Sequence, residues 1–166
     1  MEIKAGEIVF LDTNVLLTAT DESRPAHADA NLIFRSGPQN GRHLGISGQV
    51  IREYLVVATR PLDVNGLGLD IDTAIGNIDA IRERTVFFEE TEPVASHLLS
   101  LARTHALTGK CLHDAGVAAT MSVHNISILV TDNSGDFAPF RDIHTVSIAD
   151  AAHSMGLDNN TKGPTT

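Results

Sequence analysis

The stretch IVFLDTNVLL, residues 8–17, opens with four apolar residues, Ile8 to Leu11, and breaks at Asp12. A run so short and so evenly apolar, with no polar residue in alternation, reads as a strand buried on both faces, the signature of a parallel sheet. Asp12 then stands at the carboxyl end of a buried strand, where an unpaired carboxylate is costly to remove from water. The pattern returns late in the chain. ISILVT (126–131) reads as another strand and runs into Asp132, with Asp136 four positions on in the fragment ILVTDNSGDF (128–137). Asp114, in KCLHDAGVAATM (110–121), and Glu53, in VIREYL (50–55), border or enter two further apolar segments. Such placement of five acids calls for a common cause.

Between these points, helical and extended patterns alternate. PAHADANLIFRSG (25–37) starts at Pro25 and stops at Gly37, HLGIS (43–47) reads as a strand, and SGQVIREYLVVAT (47–59) opens on Ser47 as a cap and ends before Pro61. Ile71, Ile75, Ile78 and Ile81 fall at helical spacing within 70–84, and TVFFE (85–89) follows as a strand. Residues 91–107 form a helical pattern with Pro93 in the first turn and Gly109 beyond the end. A helix of small residues (113–125) precedes the strand 126–131, and HTVSI (144–148) is the last strand. Strands alternating with helices predict a three-layer α/β/α domain with a mainly parallel sheet and a ligand site at the carboxyl ends of its strands. Residues 1–156 read as one such domain and residues 157–166, LDNNTKGPTT, as a frayed tail.

Composition narrows the function. The chain has 166 residues, enough for one domain with a real core, and 42% are hydrophobic. Cys111 is the single cysteine, which excludes an intrachain disulfide and fits a reducing cytoplasm. No basic start with a long apolar run marks an export signal, and no apolar stretch approaches the roughly 18 residues of a membrane span. Twenty-one acids against twelve bases give a net charge of −9, the wrong sign for gripping a phosphate backbone by bulk electrostatics. An enzyme whose acids collect a divalent cation escapes that objection, because the ion supplies positive charge locally.

A parallel sheet puts Asp12 and Asp132 on one edge, and helix placement can bring Asp114 and Glu53 to the same edge. Carboxylates so crowded repel and raise one another's pKa. A hard cation such as Mg²⁺ or Mn²⁺ takes oxygen ligands and resolves the conflict.

Taken in order and spacing, IVFLDTNVLL, QVIREYL, HDAGVAATM and LVTDNSGDF resemble the PIN-domain ribonucleases, and within them the VapC-type toxins of toxin–antitoxin pairs. The resemblance spans nearly the whole chain. It implies that Asp12, Glu53, Asp114 and Asp132 form an acidic quartet that binds Mg²⁺ or Mn²⁺, with Asp136 joining or supporting it. It further implies cleavage of RNA (tRNA, rRNA or mRNA) to 5′-phosphate and 3′-hydroxyl ends, a homodimer, no membrane, and inhibition by a cognate antitoxin protein.

Neighbouring residues have plainer readings beside the functional ones. Thr13 and Asn14 can bond a carboxylate or simply start a helix; Thr131 and Asn133 can support Asp132 or serve the turn. Ser47 reads as a cap, His113 as a helix-entry residue facing solvent, and Arg52 and Lys110 as solvated bases within reach of a phosphate. The segment from Arg60 to Asp72 is a candidate contact for an antitoxin or a second copy, or a tolerant loop. Helices 25–37 and 47–59, with Tyr54, carry apolar residues for a partner or for the core. Scattered histidines give no zinc spacing, and no phosphate-binding glycine loop is present. A PIN nuclease outside toxin systems and a non-catalytic module of the same fold stay open. A haloacid-dehalogenase-type hydrolase is a poor alternative, because Asn14 stands where it needs Asp.

Overall fold

The computed structural model describes residues 2–156, so the expected tail at 157–166 lies outside the described residues. Strand β1 (Ile8–Leu11) is followed by helices α1 (Thr13–Thr20) and α2 (His27–Gln39), then β2 (His43–Ser47), α3 (Gly48–Thr59), α4 (Ile71–Arg82) and β3 (Thr85–Phe88). Helices α5 (Glu92–Thr104) and α6 (Cys111–Val123), strand β4 (Ile128–Val130), strand β5 (His144–Val146) and helix α7 (Ile148–Gly156) complete it, with short 3₁₀ turns at Leu62–Val64 and Ser134–Phe137.

All strand pairs are parallel, and the order across the sheet is β3-β2-β1-β4-β5. The sheet thus grows outward from β1 in one direction through β2 and β3, then returns to the other side of β1 for β4. Right-handed crossovers of opposite direction put their helices on opposite faces. Accordingly α1 packs on α2 and α3, α2 on α7 and α3 on α4, whereas α5 packs on α6. The result is the expected α/β/α sandwich, with a crevice outside the carboxyl ends of β1 and β4 where the winding reverses.

Strands β1 and β4 sit in the middle and are apolar for that reason: Val9, Phe10, Leu11, Leu129 and Val130 are fully buried. Tyr54 of α3 is also fully buried, its hydroxyl 3.0 Å from that of Thr20 and accepting from Asn77 Nδ2 at 3.1 Å. Most of the apolar face of α2 and α3 is therefore core, and Val56 is the large α3 side chain that stays exposed.

Several boundaries shift from expectation, Ile148 among them, which opens α7 rather than ending a strand, and two local readings change. Helix α2 runs past Gly37 through Pro38, because Gly37 is a site of close approach rather than a stop. A Cβ there would lie 3.1 Å from Leu44 Cδ2 and 3.3 Å from Met155 Sδ, so glycine lets α2 settle onto β2 and α7. Ser47 occupies the cap position of α3 but makes no capping bond, and its hydroxyl is buried without a partner. Glu90, just after β3, takes the first-turn N–H of Gln49 instead and pairs with Arg52 at 2.9 Å. The segment after Arg60 is a compact turn, with Gly68 N–H donating to the Arg60 carbonyl at 2.8 Å and Leu69 N–H to that of Ala58 at 2.9 Å. Its Leu62 and Val64 point into solvent.

Candidate active site

Asp12 ends β1 and caps α1, so both elements fix it. Its Oδ1 accepts the Thr13 N–H at 2.6 Å; its Oδ2 accepts the Thr131 hydroxyl at 2.7 Å and Asn14 Nδ2 at 2.9 Å. Thr131 ties the set together, accepting also from Asn14 Nδ2 (2.8 Å) and from Asn133 N–H (3.0 Å). Thr13, Asn14 and Thr131 therefore meet around one carboxylate, and Asn133 joins them only through its backbone N–H to Thr131. Burial pushes the Asp12 carboxyl above its ordinary range even so; the Thr131 and Thr13 bonds oppose that, and the charges of Glu53 and Asp136 add to it.

Glu53 comes from one turn inside α3. Its Oε2 accepts the Thr13 hydroxyl at 2.8 Å, and its Oε1 accepts Gln49 Nε2 at 2.8 Å and lies 3.0 Å from His113 Nδ1. His113 is thus a neighbour of the acids while keeping most of its ring in solvent, a closer involvement than helix entry implied. Asp114, in the first turn of α6, is half-buried and its pKa is raised to about 6, by desolvation first and then by Asp136, Asp12 and Glu53, with His113 pulling the other way.

Asp12, Glu53, Asp114 and Asp136 consequently form one electrostatic group. Asp136 arrives on the 3₁₀ turn that the buried Phe137 anchors. Asp132, placed ahead of Asp136 by the sequence, turns its Oδ1 to the N–H of Ile148 at 2.9 Å and holds the start of α7. Gln49 was not singled out by the sequence, and its only signal is its place four residues before Glu53 on one helix face.

A divalent cation suits this donor set. Every donor is a hard oxygen, the crowding of like charge favours a positive guest, and Asn14 Oδ1 is buried beside Asp12 with no hydrogen-bond partner. Among the described residues, no three Asp, Glu, His or Cys side chains stand close enough together to hold one ion. An open cleft of about 690 Å³ takes in Thr13, Glu53, Asp114 and Asp136 and continues over Val56 and Leu112 toward Arg60 and Lys110. Arg52 lines it too, held to Glu90. A hollow of about 750 Å³ against α1, α2 and α4 contains none of the acids grouped around Asp12.

Fold and site together define a parallel α/β domain with an acidic centre at its switch point. The PIN domain family model matches residues 9–143, and the chain belongs to that family. No curated protein matches the chain by sequence. Among solved structures it is similar to VapBC-1 of nontypeable Haemophilus influenzae (21% identity, 85% of this chain and 98% of that one, TM-score 0.62). It is also similar to a toxin–antitoxin complex from Klebsiella pneumoniae (20%, 84% and 97%, 0.55). A third is VapC20 of Mycobacterium tuberculosis, a sarcin-ricin loop cleaving toxin (17%, 73% and 86%, 0.56). At these identities the likeness is one of fold.

Proposed function

We infer that this protein is a Mg²⁺- or Mn²⁺-dependent endoribonuclease, the toxin of a toxin–antitoxin pair, working in the cytoplasm. The observation that carries the reading is the convergence of Asp12, Glu53, Asp114 and Asp136 at the switch point of a PIN-domain chain. Asp12, Glu53, Asp114 and Asp136 would hold the ion, and Asp132, whose Oδ1 accepts the Ile148 N–H, would serve as a further ligand or as the brace of α7. When bound, a divalent cation supplies an activated water and offsets charge that develops on the scissile phosphate. Glu53 Oε2, steadied by the Thr13 hydroxyl, orients the attacking water and accepts its proton. Arg60 and Lys110 lie in the same cleft and offer phosphate contacts along the flanking RNA.

Hydrolysis of this kind leaves a 5′-phosphate and a 3′-hydroxyl. The likeness to toxin–antitoxin structures supports an antitoxin partner, and the exposed Leu62 and Val64 are candidate contacts for it or for a second copy of the chain. No helix among the described residues is long and apolar enough to cross a membrane. The test is purified protein on total bacterial RNA, with Mg²⁺, with Mn²⁺ and with chelator, beside Asp114→Asn, mapping new 5′ ends. Discrete metal-dependent cuts made only by wild type support the reading and name the target. Folded, partner-free protein that cuts no more than Asp114→Asn sinks it.

A further inference from the structure

Gln49 does more than fill the rim of the cleft. One side-chain amide nitrogen reaches two helices at once: Nε2 donates to Glu53 Oε1 at 2.8 Å along α3 and to the His113 carbonyl of α6 at 2.6 Å. Its own N–H is held by Glu90 after β3. The side-chain amide is therefore fixed by two partners and its backbone by a third, and Glu53 is one of the groups it fixes.

The opposite wall has a matching feature. Gly116 lies inside α6, where glycine is the poorest helix former after proline and its backbone there needs no positive φ. A Cβ at this position would stand 2.3 Å from Gln49 Oε1 and 3.3 Å from its Cδ. The obstruction is the far end of a flexible side chain, which can swing away without disturbing the fold. The missing side chain thus leaves room for the Gln49 amide in its present place.

We propose that Gln49 is a positioning residue for Glu53, and that Gly116 makes this possible by leaving the amide its space. This role rests on reading the four acids as a metal centre. It predicts coupled effects of two changes on different helices.

The experiment is Mn²⁺ binding to the full chain, followed by electron paramagnetic resonance, for wild type, Gln49→Ala, Gly116→Ala and the double variant, with a thermal melt of each. Gln49→Ala and Gly116→Ala should each weaken Mn²⁺ binding by about tenfold to a hundredfold, as loss of a ligand's supporting partner does. The double variant should bind as Gln49→Ala does, because the added methyl acts only through the amide. Melting temperatures should hold or, for Gly116→Ala, rise. The same cycle in RNA cleavage should appear in kcat with KM unchanged. Wild-type affinity in Gln49→Ala, or an equal loss from Gly116→Ala in both backgrounds, overturns the positioning role and leaves the metal centre standing. A wild type that binds no Mn²⁺ removes the metal centre itself, and the role with it.

Discussion

Asp114 holds its proton more tightly in the folded protein than an ordinary carboxylate does, and the sign of that shift has two consequences. Because its pKa is raised to about 6, the folded state binds more protons than the unfolded chain between that value and the ordinary range near 4. Acidifying metal-free protein from pH 7 toward 5 should therefore add stability from this group, and raising pH through 6 should remove it. Asp114→Asn should raise the melting temperature at pH 7, by about 2–4 °C for the ~1 kcal/mol left after solvent screening. Metal binding runs the other way, since a ligand must be deprotonated, and Mn²⁺ affinity should fall below about pH 6. Calorimetric melts and metal titrations across that range check both signs. Thr131→Val makes a second residue-scale test. It strips Asp12 of a hydroxyl donor and leaves Asn14 Nδ2 and the Asn133 N–H short of an acceptor, at a cost of about 1–3 kcal/mol. That Asp12 and Asp114 come together was legible at this scale, because strand ends and helix starts aim side chains predictably, whereas Glu53, inside α3, was picked through the resemblance. The division of labour between Asp132 and Asp136 was not, because a 3₁₀ turn reaches through a tertiary anchor, Phe137, that no local pattern announces.

Among the elements, β2 shows how a glycine inside a strand transmits to the site. A Cβ on Gly45 would sit 2.7 Å from Phe88 Cε2 and 3.1 Å from its Cδ2. Gly45→Ala should cost about 1–3 kcal/mol through overpacking, read as a lower midpoint in denaturant. It should also displace Glu90, two residues past Phe88, and so loosen the start of α3. The β strands and helices α2 to α5 are readable from apolar runs and helical spacing, and α6 from its run of small residues. Helix α1 is not, since Thr13, Val15, Leu16, Leu17 and Thr18 are all buried and no polar face interrupts the pattern. Helix α7 keeps a readable spacing at Ile148, Ala151, Ala152 and Met155, but two alanines carry half of it and signal burial weakly.

For the whole molecule, α7 closes the core. Ile148, Ala151 and Met155 are fully buried, the Met155 carbonyl accepts Asn40 Nδ2 at 2.6 Å, and Ser154 Oγ accepts the Ile3 N–H at 2.8 Å. Ending the chain before Ile148 should remove on the order of 5 kcal/mol of burial, comparable with the total stability of a domain. Such a protein should show no cooperative thermal transition by circular dichroism. The strand order has a consequence for the timing of synthesis. Strand β4 pairs with β1, joining residues near 128 to residues near 9, and Asp136 follows only after it. A chain emerging from the ribosome therefore has its first two acids, Asp12 and Glu53, well before the last two, Asp114 and Asp136, can be delivered beside them. An acidic centre assembled in this order is complete only near the end of synthesis, so a nascent chain lacks the full set of carboxylates until its last strands are made.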